Sequence, residues 1–180
     1  MIDKISPKDI KIKIISKETN LSNFTSYEQE LVDFLIEDAI ENQYQKLSKT
    51  FLWYFQDHLV SYITLLNDKI NLEGNLKEFF KEKGIHYKSL PALKIGRVCV
   101  DDKYLRRGLG KLMMIFAINL ANKISADFSG CRFITLDAKR NNDKKLDSIH
   151  FYKKMGFNVL KERKKGTTPM FLDLKFIEQY

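Results

Sequence analysis

Hydrophobic and polar residues alternate along the start of the chain with two different periods. Residues 10–15, "IKIKII", alternate at every second position, and this pattern predicts a half-buried strand. Residues 26–44 repeat at helical spacing instead and predict an amphipathic helix. Its apolar face consists of Leu31, Leu35 and Ala39, with Phe34 beside them.

Two runs rich in β-forming side chains occupy residues 51–66, "FLWYFQDHLVSYITLL". They flank a short polar connection, which predicts an antiparallel hairpin. The connection consists of Gln56, Asp57 and His58. A polar segment follows, and within it residues 75–84 form a helix candidate that Gly84 is placed to stop.

The second half of the chain continues the alternation of strands and helices. Residues 85–93 are predicted as a loop and residues 94–100, "KIGRVCV", as a buried strand. The remaining predicted elements are a helix at 109–124 that is apolar almost all round, a strand at 132–138, a helix at 144–156 ending at Gly156, and closing strands at 157–160 and 170–174. The order predicts a mixed α/β fold with one hairpin early and another late.

The length and composition favour a single domain over residues 1–180 with a substantial core. No stretch approaches the roughly 20 apolar residues of a membrane helix, and the start of the chain lacks the pattern of a secretory signal. We therefore expect a soluble cytoplasmic protein without a membrane partner. Cys99 and Cys131 lie in apolar surroundings, so we expect them to pack as small hydrophobes without a disulfide.

The formal net charge is +8, from 31 basic and 23 acidic residues. This excess favours an anionic partner, either a phosphorylated cofactor or a nucleic acid. A surface covered with solvated lysines explains the same composition. Metal binding is not predicted, because the three histidines are scattered and match no ligand spacing; they are His58, His86 and His150.

The segment "YLRRGLGKLMM" (104–114) joins the strand at 95–100 to the helix at 109–124. It combines two arginines and two glycines at a helix N-terminus, where free N–H groups and the helix dipole attract phosphate. Two familiar phosphate motifs are excluded by spacing. A dinucleotide fingerprint requires glycine where Met113 stands, and a Walker loop requires Ser or Thr where Leu112 stands.

Two segments make the chain resemble the GNAT N-acetyltransferase family. "VCVDDKYLRRGLGKLMM" (98–114) is similar to that family's acetyl-CoA-binding motif, an apolar strand followed by Gln/Arg-x-x-Gly-x-Gly/Ala at the start of a helix. "SIHFYKKMGF" (148–157) resembles its second signature. The chain departs from the pattern at Leu105, where Gln or Arg is usual, and at Ser148, where Ala is common.

The resemblance implies a central twisted mixed sheet of about six to seven strands, splayed between strands 95–100 and 132–138 and flanked by helices. It implies that acetyl-CoA lies in the cleft as cosubstrate, with its acetyl carbonyl near Val98, Cys99 beside it, and its pantetheine arm on the backbone of Val100. The pyrophosphate would lie on residues 106–111, which are Arg106, Arg107, Gly108, Leu109, Gly110 and Lys111.

Tyr152 matches the family's tyrosine that protonates the departing CoA thiolate. An unperturbed phenol, with a pKa of about 10, suits this task. The alternative is a buried helix tyrosine with a packing role. The sequence singles out no general base, since Asp101, Asp102 and Asp137 are also explained as solvated turn residues and a water relay would serve. Cys99 as a nucleophile is disfavoured against packing, because its strand is predicted to be buried.

Three functions remain open from the sequence. The first is acetyl transfer to a small-molecule or protein amine, and the second is acetylation of the amino acid on charged tRNA. Residues 51–70 and 89–110 resemble the GNAT group that includes tRNA-acetylating bacterial toxins, and three basic runs lie around the Tyr152 helix, at 139–145, 153–154 and 161–165. The third is a non-catalytic acyl-CoA- or nucleic-acid-binding module. The oligomeric state is open, with a homodimer as one candidate.

Overall fold

The computed structural model describes residues 3–139, 148–163 and 166–176. The chain divides into two compact units. The first unit comprises residues 1–66 and 95–117, and the second comprises residues 67–94 and 118–180. The prediction of a single domain over residues 1–180 stays a prediction.

The described strands form one seven-stranded sheet with the order β1-β2-β3-β4-β5-β7-β6. The strands are β1 Ile10–Ile14, β2 Lys49–Phe55, β3 His58–Asn71, β4 Ser89–Val100, β5 Phe133–Lys139, β6 Asn158–Val159 and β7 Thr167–Asp173. The pairs β1/β2, β2/β3, β5/β7 and β6/β7 are antiparallel. The predicted mixed α/β fold, its early hairpin and its late hairpin are confirmed.

Five α-helices accompany the sheet in the described ranges. They are α1 Gln29–Asp33, α2 Ala39–Tyr44, α3 Gly74–Glu82, α4 Leu109–Asp127 and α5 Ser148–Lys154. None of them is long and apolar enough to cross a membrane. The part of the predicted last helix at 144–147 lies outside the described residues.

The early hairpin turns on two residues, not three. Gln56 and Asp57 have φ of +49° and +62°, as a two-residue type I′ turn requires, and His58 already belongs to β3. Tyr62 of β3 packs with Leu52 in the core of the first unit and donates from its hydroxyl to the Leu31 carbonyl oxygen at 2.6 Å. This hydrogen bond fixes α1 on the sheet.

The predicted helix at 26–44 begins later and contains a π-helical turn at Phe34–Asp38 between α1 and α2. Val32 is buried along with Leu35 and Ala39, at the i, i+3, i+7 spacing of one helical face, whereas Leu31 is only half-buried. The predicted face is correct for two of its three residues.

The predicted loop at 85–93 is wrong from Ser89 onward, because β4 begins there. Pro91 favoured the prediction of a loop, because proline has no N–H to donate to a neighbouring strand. Its carbonyl still accepts from the Arg132 N–H at 2.9 Å, and Ala92 and Leu93 are buried. Strand β3 likewise runs to Asn71, through the segment that sequence analysis left as polar. Sheet pairing and burial outweigh local propensity in both places.

The core of the second unit contains aromatic side chains that meet edge-to-face. Phe80 of α3 meets Phe133 of β5 edge-on, with ring centroids 5.8 Å apart. Arg132 lies over both rings and forms two hydrogen bonds to Asp173, at 2.6 and 2.9 Å. Because this ion pair is bidentate and largely buried, it fixes the start of β5 against the end of β7.

Candidate active site

The turn between β4 and α4 has the backbone conformation of an anion-binding site. Arg106 and Gly108 have φ of +64° and +90°, in the left-handed region that favours glycine. An added Cβ on Gly108 would meet no atom within 4 Å, so its conformation, and not tight packing, requires glycine. Left-handed residues in such turns direct successive N–H groups toward one concave surface, where they can bind an anion.

Helix α4 starts at Leu109, directly after this turn. Leu109 and Met113, one helical turn apart, are at most 1% exposed and anchor the start of the helix in the core. The N–H groups at the very start of the helix precede any helical carbonyl that could accept from them, and the first helical bond is that of the Leu112 N–H to the Gly108 carbonyl at 3.2 Å. Lys111 is exposed beside them. The residues present therefore fit a pyrophosphate, through N–H groups, the helix dipole and an exposed cation.

The side chain of Arg107 is engaged elsewhere. Its Nε donates to the Asp3 carbonyl oxygen at 3.1 Å, and its guanidinium lies over the rings of Phe55 and Tyr104, at 5.5 and 5.6 Å. Its own carbonyl accepts from the Ile5 N–H at 3.0 Å. Arg107 thus ties the phosphate turn to the N-terminal segment, whereas Arg106 is exposed. A direct contact of either side chain with phosphate stays a prediction.

Asp101 supports the same turn from inside the core. It is only 2% exposed, and its carboxylate accepts from the Thr25 N–H at 2.8 Å and from the Lys103 N–H at 2.9 Å. Its own N–H donates to the Val60 carbonyl at 2.9 Å. Asp101 is therefore a structural residue and not the solvated turn former considered from sequence. Asp102 is exposed and accepts from the Tyr27 N–H at 3.1 Å.

The strand before the turn carries the predicted acetyl contacts. Val98 and Val100 are half-buried, while Cys99 points into the core cluster with Leu52 and Tyr62. Burial and the carboxylates of Asp102 and Asp101 raise the pKa of the Cys99 thiol to about 11. The thiol is therefore protonated at neutral pH, which disfavours a covalent acetyl-cysteine.

The residues that follow Tyr152 in the second GNAT signature form a C-cap at the end of α5. Gly156 has φ of +87° and its N–H donates to the Lys153 carbonyl, while the Phe157 N–H donates to the Tyr152 carbonyl, both at 3.0 Å. These two bonds form a Schellman motif, whose apolar contact is the Tyr152–Phe157 ring pair with centroids 5.7 Å apart. The Gly-Phe that follows the tyrosine therefore fixes the end of α5 and the tyrosine ring.

Burial raises the pKa of Tyr152 to about 12. The phenol therefore keeps its proton at neutral pH, as a proton donor requires. At the other end of α5, Ser148 donates to the Lys139 carbonyl oxygen at 2.8 Å and so ties the helix to the end of β5. This contact gives the departure from Ala at this position a structural role.

The structure also brings together four polar residues that sequence reasoning did not combine. On β3 and β5, Thr135 donates from its hydroxyl to Asp68 at 2.6 Å. On β4 and β5, the Lys94 ammonium lies 2.7 Å from the Asp137 carboxylate. All four line one cavity of about 940 Å³ in the second unit. No group of three potential metal ligands occurs among the described residues.

The model of the acetyltransferase (GNAT) domain matches residues 46–159, which include the phosphate turn and Tyr152. The chain belongs to the GNAT acetyltransferase family. The predicted enzyme class and cosubstrate are confirmed at this level: the chain is an acyltransferase whose family uses acetyl-CoA. No curated protein matches the chain at a significant level.

Solved structures of GNAT toxins share the fold at low sequence identity. AtaT complexed with acetyl-methionyl-tRNAfMet gives a TM-score of 0.75 at 21% identity, covering 93% of this chain and 96% of that chain. A KacT mutant with phenylalanine in place of a tyrosine gives 0.76 at 19% identity, with 93% and 96% covered. An AtaT mutant toxin bound to the C-terminus of the antitoxin AtaR and acetyl-CoA gives 0.69 at 20% identity, with 93% and 94% covered. The predicted GNAT fold is confirmed.

The structure places the predicted site residues in separate units. Val98, Cys99, Val100 and residues 106–111 belong to the first unit, whereas Tyr152 belongs to the second. The cofactor contacts and the role of Tyr152 therefore stay predictions at the level of single residues.

Acetyl-CoA is expected to stabilise this GNAT chain against thermal unfolding. A ligand at about 100 times its Kd adds roughly 2.7 kcal/mol to the free energy of unfolding. Gly110→Glu should abolish the shift, because it adds bulk and negative charge in the first turn of α4. Melting curves with and without CoA measure both effects. An unchanged Tm at millimolar CoA would refute the phosphate site.

Proposed function

We propose that this chain transfers the acetyl group of acetyl-CoA to the amino group of an aminoacyl-tRNA. The observation that carries the proposal is the distribution of charge between the two units. The first unit contains 12 basic and 12 acidic residues, and the second contains 19 and 11. The whole net charge of +8 therefore resides in the second unit.

This asymmetry argues against the alternative of an evenly solvated, lysine-rich surface. A bias of composition alone would charge both units alike, whereas a site for a polyanion concentrates cations on one part of the surface. The described second unit exposes cations next to the Tyr152 helix, namely Lys153, Lys154, Lys161 and Arg163. The acetyl-methionyl-tRNAfMet complex of AtaT, which shares the fold, supports the same class of acceptor.

The chemistry proposed is direct transfer between two bound substrates. Acetyl-CoA supplies an activated acetyl thioester. The backbone at Val98 binds the carbonyl oxygen, and the turn at 106–111 binds the pyrophosphate. As the amine nitrogen bonds to the carbonyl carbon and the carbon–sulfur bond breaks, Tyr152 donates its proton to the departing sulfur. The amine loses its proton to water, and the Tyr152 phenolate regains a proton from water, which restores the acid for the next turnover. The protonated, buried Cys99 supports this route over a covalent acetyl-enzyme.

A panel of acceptors tests the proposal. Acetyl-CoA consumption is measured with aminoacylated tRNA, peptides, polyamines and aminoglycosides at matched amine concentrations. We expect turnover with charged tRNA and none with the same tRNA after deacylation. Turnover confined to a small amine or a peptide would replace tRNA with that acceptor.

A further inference from the structure

The cavity of about 940 Å³ in the second unit has polar walls that the predicted cosubstrate contacts do not use. We propose that this cavity selects the acceptor, binding an amine through Asp68 and Asp137 and a neighbouring phosphate through Lys161 and Arg163. The inference rests on the proposed function and deepens it. It assigns the two recognition tasks to named side chains.

Both carboxylates retain a free acceptor oxygen. Among the described residues, Asp68 accepts one hydrogen bond, at Oδ2 from Thr135, and Asp137 makes one contact, at Oδ2 with Lys94. Thr135 is only 6% exposed, so it holds the Asp68 carboxylate in a fixed orientation. The Oδ1 atoms are left for a ligand, and an amino group, with two or three N–H donors, is suited to bridge them.

The cavity walls carry charges of both signs. Among the described residues, three carboxylates line the cavity, and of these only Asp137 has an ammonium partner there, Lys94. The charged lining residues are Asp68, Glu73 and Asp137 against Lys69, Lys94, Lys161 and Arg163. A ligand that carries both an amine and a phosphate therefore matches these walls better than a ligand with only one of the two groups.

The same cavity also contains exposed cations. Lys161 and Arg163 line it and are solvent-exposed, as residues that meet a phosphodiester need to be. An acceptor that carries an amine a short distance from a phosphate satisfies both sets of groups. The aminoacylated 3′ end of a tRNA has this chemistry, whereas a polyamine or a peptide N-terminus has only the amine.

The test compares Asp68→Asn with the matched control Glu78→Gln, an exposed carboxylate on α3 outside the cavity. Asparagine can still accept the Thr135 hydrogen bond, so the fold should be kept, and an unchanged CoA-induced Tm shift checks this. We expect Asp68→Asn to raise KM for aminoacyl-tRNA about tenfold or more, the usual scale for a lost hydrogen bond to a charged group. Glu78→Gln should leave KM unchanged.

Binding of charged and deacylated tRNA separates the two recognition tasks. Asp68→Asn should weaken binding of the charged form only, whereas the double variant Lys161→Gln, Arg163→Gln should weaken both forms equally. If the wild-type enzyme acetylates charged tRNA but Asp68→Asn has the KM of the control, or weakens both forms alike, the cavity inference is overturned while the proposed function stands. If the wild-type enzyme acetylates no charged tRNA, the proposed function fails, and the inference fails with it.

Discussion

Replacing Tyr152 by phenylalanine is expected to lower kcat about 10²- to 10⁴-fold, the usual cost of losing a general acid. The substitution removes one hydroxyl and keeps the ring that packs on Phe157. The helix cap and the phosphate turn should therefore survive, and the CoA-induced Tm shift should be that of the wild type. Single-turnover acetylation measures the chemical step separately from product release.

A pH profile provides the control for this assignment. Burial raises the pKa of Tyr152 to about 12, so the phenol stays protonated below about pH 11. Titration of Tyr152 should therefore not lower the rate below that pH. Any basic residue that limits the rate at lower pH should do so equally in wild type and variant. If Tyr152→Phe turned over at the wild-type rate, the residue would be a packing tyrosine and the mechanism would lack its acid.

Neutralising Lys161, Arg163, Lys164 and Lys165 together is expected to lower tRNA affinity and flatten its salt dependence. Each phosphate contact releases counterions, so four lost contacts should change the slope of log K against log salt by about 3 to 4. The last two of these cations lie outside the described residues, and their inclusion rests on the sequence. Binding across a salt series measures the slope.

A matched control removes the same charge from the first unit, at four exposed lysines: Lys4, Lys8, Lys17 and Lys49. This control should leave the slope nearly unchanged, because the first unit carries no net charge. CoA binding should hardly change in either variant. An unchanged slope in the second-unit variant, or an equal change in both, would mean that the basic residues are ordinary solvated surface.

The features that sequence could predict are those encoded locally. The turn at 106–111 lies between an apolar strand and an apolar helix, and its glycines mark the backbone that an anion needs. The spacing of Tyr152, Gly156 and Phe157 encodes a complete helix cap within six residues. Both segments could be recognised because every interaction that shapes them is close in sequence.

The features that sequence could not predict depend on contacts between distant residues. Strand β4 includes Pro91 because its carbonyl accepts from the N–H of Arg132, the residue directly before β5 and 41 positions away. The sequence around Asp68 does not distinguish it from other polar residues, because the Thr135 hydroxyl that donates to it lies 67 positions later. Asp101 likewise becomes buried through a loop 76 positions earlier, at Thr25. Single-chain periodicity carries no information on such pairings.

The measurement that tests the account most directly is identification of the acetylated product. The protein is incubated with acetyl-CoA and aminoacylated tRNA, and the tRNA is then digested. The mass of the terminal aminoacyl-adenosine is measured by mass spectrometry. The account predicts a gain of one acetyl group on the α-amino nitrogen, with much less in the Tyr152→Phe variant. An unmodified aminoacyl-adenosine, at a protein concentration where CoA binding is saturated, would contradict it.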